Sequence, residues 1–366
     1  MEESSSATDV ELTDTAFDAT PGEVQQRIED EVASFLQLLR ECEEPAMSVT
    51  SRANNNAIFC KREKHIRLGT TTVKRKLSDG KRYQGMWKVL QACYALMKER
   101  KTVNQRELYY LNTDMFATQR ECDDCIRDCI ALLHVPRDVL GITATPKGYV
   151  SGRLLYSLGD AENWTDLSSV SPLSIAYSMV QHMQLKSDAK LILVVEKDGI
   201  FKRLVEDRFF DTLPCILITG RGFPDFATRL LLHHLYTELH LPVFGLCDWN
   251  PYGMSLLMTY IVGSLASGLE TYRYCVPITW IGLHYEDIID LHLPDSIRQP
   301  FTKMDDSKCC ALSTHPFVKG NPVFARELSF MRKHAFKAEL ESVYCHGIEY
   351  FSKEYLRNKI LEHYTD

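Results

Sequence analysis

The chain has 366 residues, 45% of them apolar and 25% charged, a composition typical of a globular protein with about two domains. Twelve cysteines without a charged and then apolar leader do not indicate a secreted disulfide framework, so we expect a reducing compartment. No apolar run approaches the roughly 18 residues that a membrane span needs, and we expect no membrane partner.

The net charge of −7 is distributed unevenly. Residues 1 to 45 contain thirteen acidic residues against Arg27 and Arg40, a net charge of −11, so the rest of the chain carries +4. Residues 61 to 82 are the most basic stretch, with nine Lys and Arg. The body of the protein can therefore meet nucleic acid, whereas the acidic N-terminal tail cannot.

Residues 1 to 22 form a polar, acidic stretch that we predict to be a disordered tail. From residue 23 the apolar residues recur at the spacing of one helix face. This predicted helix either packs on its own domain or docks a partner protein. A polar, basic stretch completes residues 23 to 83 and is interpreted as a solvated face or a linker, although a nuclear-import signal or DNA-backbone contact is also open. The apolar residues of the helix are Val24, Ile28, Val32, Phe35 and Leu39.

Residues 84 to 165 contain three predicted helices, over 86 to 100, from an N-cap at Thr102 or Asn104 through residue 110, and over 118 to 133. Two strands are predicted between residues 139 and 156. Three helices followed by a hairpin are typical of a winged-helix DNA-binding domain.

Three cysteines in this region, Cys122, Cys125 and Cys129, share one face of a predicted helix. The first two have the CxxC spacing of a metal site, but the second pair that zinc requires is missing nearby. We therefore interpret these cysteines as small buried side chains that pack.

After a Ser-rich linker at residues 167 to 174, apolar strands alternate with amphipathic helices. Strands are predicted over 191 to 195, 215 to 219 and 243 to 247, and helices over 199 to 210, 225 to 239 and 254 to 265. This alternation predicts a parallel sheet flanked by helices within residues 175 to 366, and hence a mixed α/β protein.

Acidic residues directly follow two of these strands: Glu196 comes after the first and Asp248 after the third. Because ligands of such sheets bind beyond the carboxyl ends of the strands, both carboxylates are expected to face one crevice. Mg²⁺ needs few protein ligands besides water and phosphate, so this pair is sufficient, with Asn250 as a weaker uncharged ligand. Either acidic residue alone could instead be a helix cap or a surface charge.

A tyrosine pair ends the second predicted helix. A phenol ionises near pH 10 and needs help to attack phosphorus. Arg106 lies one turn before Tyr110 on the same helix face and could bind phosphate and favour the phenolate. Tyr109 points elsewhere and is expected to pack in the core. Aromatic pairs in helices are usually core residues, so the packing alternative applies to Tyr110 as well.

Four motifs together resemble the A subunit of topoisomerase VI, and most closely its eukaryotic meiotic homologue, which makes programmed DNA double-strand breaks. The resemblance covers about residues 84 to 345. The motifs are Arg106-x-x-Tyr109-Tyr110, Val194-Val195-Glu196-Lys197-Asp198, Gly220-Arg221-Gly222-Phe223-Pro224-Asp225-x-x-x-Arg229 and Asp248-Trp249-Asn250-Pro251-x-Gly253.

The resemblance implies a winged-helix domain with the nucleophile, followed by a metal-binding Toprim domain. Tyr110 would be the catalytic tyrosine, with Arg106 assisting. Glu196 and Asp248 match the metal ligands. Lys147, Arg221 and Phe223 match positions that approach DNA.

The implied activity is that of a type IIB topoisomerase-like enzyme, which cleaves double-stranded DNA by transesterification with Mg²⁺ and leaves a 5′-phosphotyrosyl link. A dimer would be needed to build each site, because the tyrosine of one copy would face the metal of the other. ATP binding would lie on a topoisomerase VI B-like subunit. Other break-machinery proteins would be further partners, and the place of action would be the nucleus, in meiotic recombination.

Two positions depart from the family pattern. Arg221 stands where a Lys is frequent, and it should still contact phosphate, through its planar guanidinium. Asn250 stands where many relatives have a second Asp, which puts a second metal ion in doubt. The alternative is therefore a catalytically inactive protein, or a non-covalent Toprim-type DNA-binding protein or nuclease that uses water instead of Tyr110.

Overall fold

A computed structural model of the chain describes residues 19–60, 65–159, 163–264 and 268–364. Most of the predicted acidic tail lies outside the described residues, as do residues 61–64 of the basic stretch. The elements up to residue 143 are α1 (Pro21–Arg40), β1 (Ala46–Thr50), β2 (Ala57–Cys60), β3 (His65–Leu68), β4 (Thr72–Lys76), α2 (Lys81–Glu99), β5 (Val103–Asn104), α3 (Gln105–Tyr110), α4 (Gln119–Leu133) and β6 (Ile142–Thr143).

The remaining elements alternate strands with helices and end in a helical C-terminal region. They are β7 (Tyr149–Gly152), β8 (Leu155–Leu158), β9 (Thr165–Asp166), β10 (Leu173–Ser174), α5 (Tyr177–Val180), β11 (Met183–Lys186), β12 (Leu191–Val195), α6 (Asp198–Glu206), α7 (Phe209–Thr212), β13 (Cys215–Thr219), α8 (Phe226–Leu239), β14 (Val243–Leu246), α9 (Pro251–Ile261), β15 (Thr279–Gly282), α10 (Tyr285–Asp290), β16 (Gln299–Pro300), α11 (Lys303–Thr314), α12 (Pro316–Gly320), α13 (Pro322–His334), β17 (Phe336–Lys337), α14 (Ile348–Tyr350) and α15 (Arg357–Glu362).

These elements form two compact units. The first unit comprises residues 19–51 and 69–143, and the second comprises residues 52–68 and 144–364. None of the described helices is both long enough and apolar enough to cross a bilayer.

The central sheet of the second unit has six strands in the order β10-β7-β13-β12-β14-β15. Strands β13, β12, β14 and β15 are parallel, as the alternating pattern predicts. Strands β7 and β10 add an antiparallel edge. Every residue of β12 and β13 is buried, which explains why both strands have continuous apolar sequences. The mixed α/β prediction is confirmed.

The predicted helix over 199 to 210 is formed in two pieces. Arg208 adopts a left-handed conformation with φ of +48°, and this residue separates α6 from α7. A left-handed residue cannot continue an α-helix, so the helix breaks at Arg208. The apolar periodicity continues across this break, and for that reason the sequence predicts a single helix.

The predicted helix after residue 23 is α1, which begins slightly earlier than expected. Thr20 caps it by accepting a hydrogen bond from the Glu23 backbone N–H, and Pro21 occupies the first turn. Val24 and Ile28 are buried, whereas Val32 is 42% and Leu39 48% exposed. One half of the helix therefore packs on its own unit, and the other half presents apolar side chains to solvent.

The basic stretch forms strands, and the basic strand β4 is mostly exposed to solvent. β1 pairs with β4 in antiparallel fashion, and β2 pairs with β3. The β2–β3 hairpin belongs to the second unit, although it interrupts the first unit in sequence. Such pairing joins residues distant along the chain, which a local polar composition does not reveal.

The three predicted helices of the first unit are α2, α3 and α4. Asn104 is the N-cap of α3, as one of the two expected positions. Cys122, Cys125 and Cys129 are all buried on α4, and the Cys129 thiol donates to the Met86 carbonyl of α2. Their burial as free thiols agrees with their interpretation as packing side chains, and it raises the pKa of each thiol.

The predicted hairpin between residues 139 and 156 is not formed. β6 pairs in parallel with β5, and β7 pairs with β13 of the central sheet. The described residues between 144 and 165 therefore belong to the second unit, and the first unit ends at residue 143, before the predicted boundary at 165. The winged-helix assignment stays a prediction that rests on the three helices.

Candidate active site

Tyr110 is the last residue of α3. Asn104 fixes the start of this helix, because its side chain accepts a hydrogen bond of 2.9 Å from the Glu107 backbone N–H. Tyr110 is 60% exposed, so the packing alternative does not hold for its side chain. The structure therefore leaves most of this side chain exposed to solvent.

Arg106 accompanies this phenol, as the one-turn spacing predicts. Its Nη2 atom donates to the Tyr110 hydroxyl across 3.5 Å, and its guanidinium carbon lies 5.7 Å from the centre of the Tyr110 ring. Both residues are exposed. A permanent cation thus lies beside an accessible phenol, where it can stabilise negative charge on the phenol oxygen or on a bound phosphate.

Tyr109 differs from its neighbour. It is half-buried rather than packed in the core, and its hydroxyl donates to the Ala117 carbonyl at 3.4 Å. The expectation that Tyr109 lies in the core is therefore only partly correct. Its hydroxyl already has a hydrogen-bond partner within the first unit, which does not favour a role as the attacking group.

Glu196 and Asp248 follow the neighbouring parallel strands β12 and β14. The backbone N–H of Asp248 donates to Glu196 Oε2 at 2.9 Å, so the two acidic residues lie side by side. That both carboxylates face one crevice stays a prediction. A Cβ atom on Gly253 would lie 2.5 Å from the Asp248 carbonyl oxygen and 3.3 Å from Glu196 Oε2. The glycine of this motif is therefore needed for the close approach of α9 to the acidic pair.

Asp248 is buried and has a defined partner for each carboxylate oxygen. Oδ1 accepts a hydrogen bond of 2.9 Å from the Leu340 backbone N–H, and Oδ2 lies 3.2 Å from the Lys197 ammonium. The same ammonium lies 3.0 Å from Glu339 and 2.7 Å from Glu341. Lys197 thus joins the strand end to a C-terminal segment.

Trp249 anchors the chain beside Asp248. Its backbone forms two hydrogen bonds with Ala338, and its indole N–H donates to Glu327 at 2.8 Å. Glu327 is fully buried and also accepts from the Tyr285 backbone N–H. The buried Glu327 carboxylate therefore fixes the backbone that carries Asp248.

The two acidic side chains are difficult to ionise in this environment. Burial, followed by the charge of Asp248, raises the pKa of Glu196. Burial likewise raises the pKa of Asp248, against the opposing effects of Leu340 and Lys197. Strongly raised pKa values are typical of functional sites, because nearby like charges need a cation or a proton.

The donor set fits one magnesium ion. Glu196 Oε1 has no hydrogen-bond donor in the part of the chain that the structure describes. Within those same residues no three His, Cys, Asp or Glu side chains form a metal-binding group. Two carboxylates are enough, since Mg²⁺ usually completes its shell with water and substrate phosphate.

Asn250 acts as the N-cap of α9. Its side-chain oxygen accepts hydrogen bonds from the backbone N–H groups of Tyr252 and Gly253, at 2.9 and 2.7 Å. An amide oxygen has two lone pairs, so these bonds use its capacity. The role of Asn250 as a metal ligand stays a prediction that this geometry does not favour.

The three predicted DNA-binding residues lie near one another in the second unit. Lys147 Nζ donates to the Phe223 carbonyl at 3.1 Å, and Phe223 is 45% exposed. Arg221 lies 5.5 Å from the ring centre of Tyr149 and 3.7 Å from Asp198. The backbone N–H of Gly222 donates to the Glu196 carbonyl, so this basic surface is connected directly to the acidic pair.

Comparison with known proteins places both units. Residues 191–360 match the family model for the Toprim domain of the topoisomerase 6 A-subunit/Spo11 proteins, and residues 81–142 match that of Type IIB DNA topoisomerase. The chain is 36% identical to Meiotic recombination protein SPO11-2 of Oryza sativa subsp. indica, over 93% of this chain and 92% of that protein.

The chain belongs to the topoisomerase 6 A-subunit/Spo11 family. It is also similar to Meiotic recombination protein SPO11 of Mus musculus, with 32% identity over 93% of this chain and 88% of that protein. The A subunit of DNA topoisomerase 6 from Arabidopsis thaliana is 32% identical over 92% of this chain and 80% of its own length.

The candidate residues fall into both matched regions of this family. Arg106 and Tyr110 lie within residues 81–142, and Glu196, Arg221 and Asp248 lie within the Toprim match. Lys197 belongs to the second sequence motif, but its position there did not indicate a role. Three acidic residues of the C-terminal region were also missed, because only the fold brings them to the site. They are Glu327, Glu339 and Glu341.

Proposed function

We propose that the chain is a DNA transesterase that makes double-strand breaks and so initiates meiotic recombination in the nucleus. Family membership and the names of its relatives support this function. Among the observations on the molecule, the exposed Tyr110 beside Arg106 carries the proposal, because a phenol that served only for packing would not be accessible next to an unburied cation.

The proposed reaction exchanges one ester for another. The Tyr110 oxygen attacks a backbone phosphorus, the bond from phosphorus to the 3′ oxygen breaks, and a 5′-phosphotyrosyl link forms. The phenol proton leaves to solvent, and the departing 3′ oxygen gains a proton. Arg106 binds a phosphate oxygen and stabilises the charge that develops on the phenol and on the phosphate.

Glu196 and Asp248 would hold Mg²⁺. The bound ion would supply charge neutralisation at the phosphate and help hold the DNA in place. Lys147 and Arg221 would bind neighbouring backbone phosphates, and the exposed ring of Phe223 would contact the DNA.

The assembly that we propose contains two copies of the chain, one for each DNA strand, and the tyrosine of one copy would act at the acidic pair of the other. ATP-dependent steps would reside in a B-type subunit. The exposed apolar residues of α1, including Leu36 at 47% exposure, are our candidate docking surface for that partner or for other break-machinery proteins.

The test is a Tyr110→Phe variant, assayed for protein covalently attached to DNA after denaturation, with the B-type partner present. We expect DNA binding to persist and the adduct to disappear, because only the attacking oxygen is removed. Tyr109→Phe is the matched control and should retain the adduct. Cleavage that continues in Tyr110→Phe would instead favour hydrolysis by water.

A further inference from the structure

A lysine ammonium lies beside the acidic pair Glu196 and Asp248. Lys197 follows Glu196 directly, and its ammonium lies within 3.2 Å of Asp248, 3.0 Å of Glu339 and 2.7 Å of Glu341. Its side chain is only 24% exposed. An ammonium surrounded by three carboxylate oxygens is unusual on a protein surface, where a lysine normally has one partner or none.

Other contacts hold these carboxylates in position. Leu340 lies between Glu339 and Glu341, and its backbone N–H binds the other oxygen of Asp248. The Gln299 side chain donates to the remaining oxygen of Glu339 at 3.2 Å. The C-terminal segment is therefore fixed against Asp248 independently of Lys197, so the three carboxylates do not converge merely because the lysine attracts them.

While the ammonium is in place, no ligand is left for a second divalent ion here among the described residues. The side-chain oxygen of Asn250 is used in capping α9. Asp248 Oδ2 and the two glutamates are directed at the ammonium, which lies where a cation would be coordinated. Mg²⁺ and Mn²⁺ prefer several oxygen ligands, and a fixed positive charge at the centre of the group excludes both.

We propose that the Lys197 ammonium takes the place of a second divalent cation in this site, so that the protein holds a single metal ion on Glu196 and Asp248. The inference rests on the proposed metal site. Lys197 acts as a positioning residue: it neutralises Asp248 Oδ2 and fixes Asp248 in place, and it sets the number of ions that the site accepts.

The test counts bound Mn²⁺ on the full chain by electron paramagnetic resonance, without DNA. We expect about one ion per chain in the wild type and about two in Lys197→Met, since removal of the ammonium exposes three carboxylate oxygens to the divalent ion. Lys197→Gln keeps a hydrogen-bond donor without the charge and serves as the second variant if Lys197→Met does not fold.

Two controls identify the additional site. In Lys197→Met with Glu341→Gln, the second ion should be lost again, because one of its ligands has lost its charge. Lys353→Met removes an exposed lysine that pairs only with Glu349 among the described residues, and it should leave the count unchanged.

The results distinguish a failure of the proposed role of Lys197 from a failure of the proposed metal site. Two ions on the wild type, or a single ion on a folded Lys197→Met variant, would overturn the role of Lys197 and leave the metal site intact. No ion on the wild type but one on Lys197→Met would overturn the proposed metal pair itself. The expected change from one ion to two supports both.

Discussion

The two halves of the candidate chemistry are built in opposite ways. Tyr110 ends a helix of six residues, is mostly exposed, and touches Arg106 through one long hydrogen bond. Asp248 is buried and held by a backbone donor, an ammonium and an adjacent anchored tryptophan. The difference suits the chemistry: a metal ligand works best when it is held in advance, whereas an attacking group must remain accessible to its substrate.

Removal of one acidic residue should have the largest effect. In Glu196→Ala, we expect the Mg²⁺-dependent part of DNA affinity to vanish, because a single carboxylate remains to hold the ion. Fluorescence anisotropy with labelled DNA, in Mg²⁺ and in chelator, measures this difference. Glu206→Ala, an exposed change on α6, should keep the full dependence on Mg²⁺. A Glu196→Ala variant as sensitive to chelator as the wild type would refute the acidic half of the account.

The buried hydrogen bonds of Glu327, which hold the backbone beside Asp248, can be removed separately. Glu327→Leu should lower the free energy of unfolding by about 3 kcal/mol, because the Trp249 indole and the Tyr285 backbone N–H would be left as buried donors without an acceptor. Chemical denaturation gives the change. Glu327→Gln keeps an acceptor oxygen and should lose less. An unchanged stability in Glu327→Leu would show that this carboxylate is not an anchor.

Arg106→Lys tests the exposed part of the candidate chemistry, which contains the nucleophile Tyr110. Cleavage should fall about tenfold, since the ammonium keeps the charge but cannot form two parallel hydrogen bonds to a phosphate. DNA affinity should be nearly unchanged. Single-turnover formation of the covalent adduct measures the rate, and Arg120→Lys on α4 is the matched control. A fall in affinity equal to the fall in rate would assign Arg106 to DNA binding alone.

The smallest effect is expected at the basic surface. Arg221→Ala should weaken DNA binding a few-fold and reduce the slope of log affinity against log salt by about 0.9, the value for one lost phosphate contact. Lys353→Ala should leave the slope unaltered. If the affinity falls without any change in slope, Arg221 acts through the loop conformation and not through a phosphate.

The sequence predicts the parts of the fold that depend on local pattern. Leu191–Val195 and Cys215–Thr219 have the predicted bounds, because both strands are buried along their whole length and their sequences are continuously apolar. The approach of Glu196 to Asp248 follows from the rule that parallel strands end at the same edge. The role of Asn104 as a helix cap is similarly visible in its local sequence.

The features that the sequence does not predict depend on distant pairing. β7 joins β13 instead of forming a hairpin, and β1 pairs with β4 across a segment that belongs to the other unit. The contact of Lys197 with Glu341 joins residues 144 positions apart. Neither periodicity nor local composition contains information about such contacts. The sequence therefore does not predict that Glu339 and Glu341 lie at the site.

The central claim concerns a single phenol oxygen, and the most direct measurement locates the DNA on the protein. The covalent adduct, formed with the B-type partner present, is denatured, digested with nuclease and protease, and mapped by mass spectrometry. The account predicts a nucleotide attached through its 5′ phosphate to the peptide that carries Tyr110. A nucleotide attached to Tyr109 or to any other residue would contradict it.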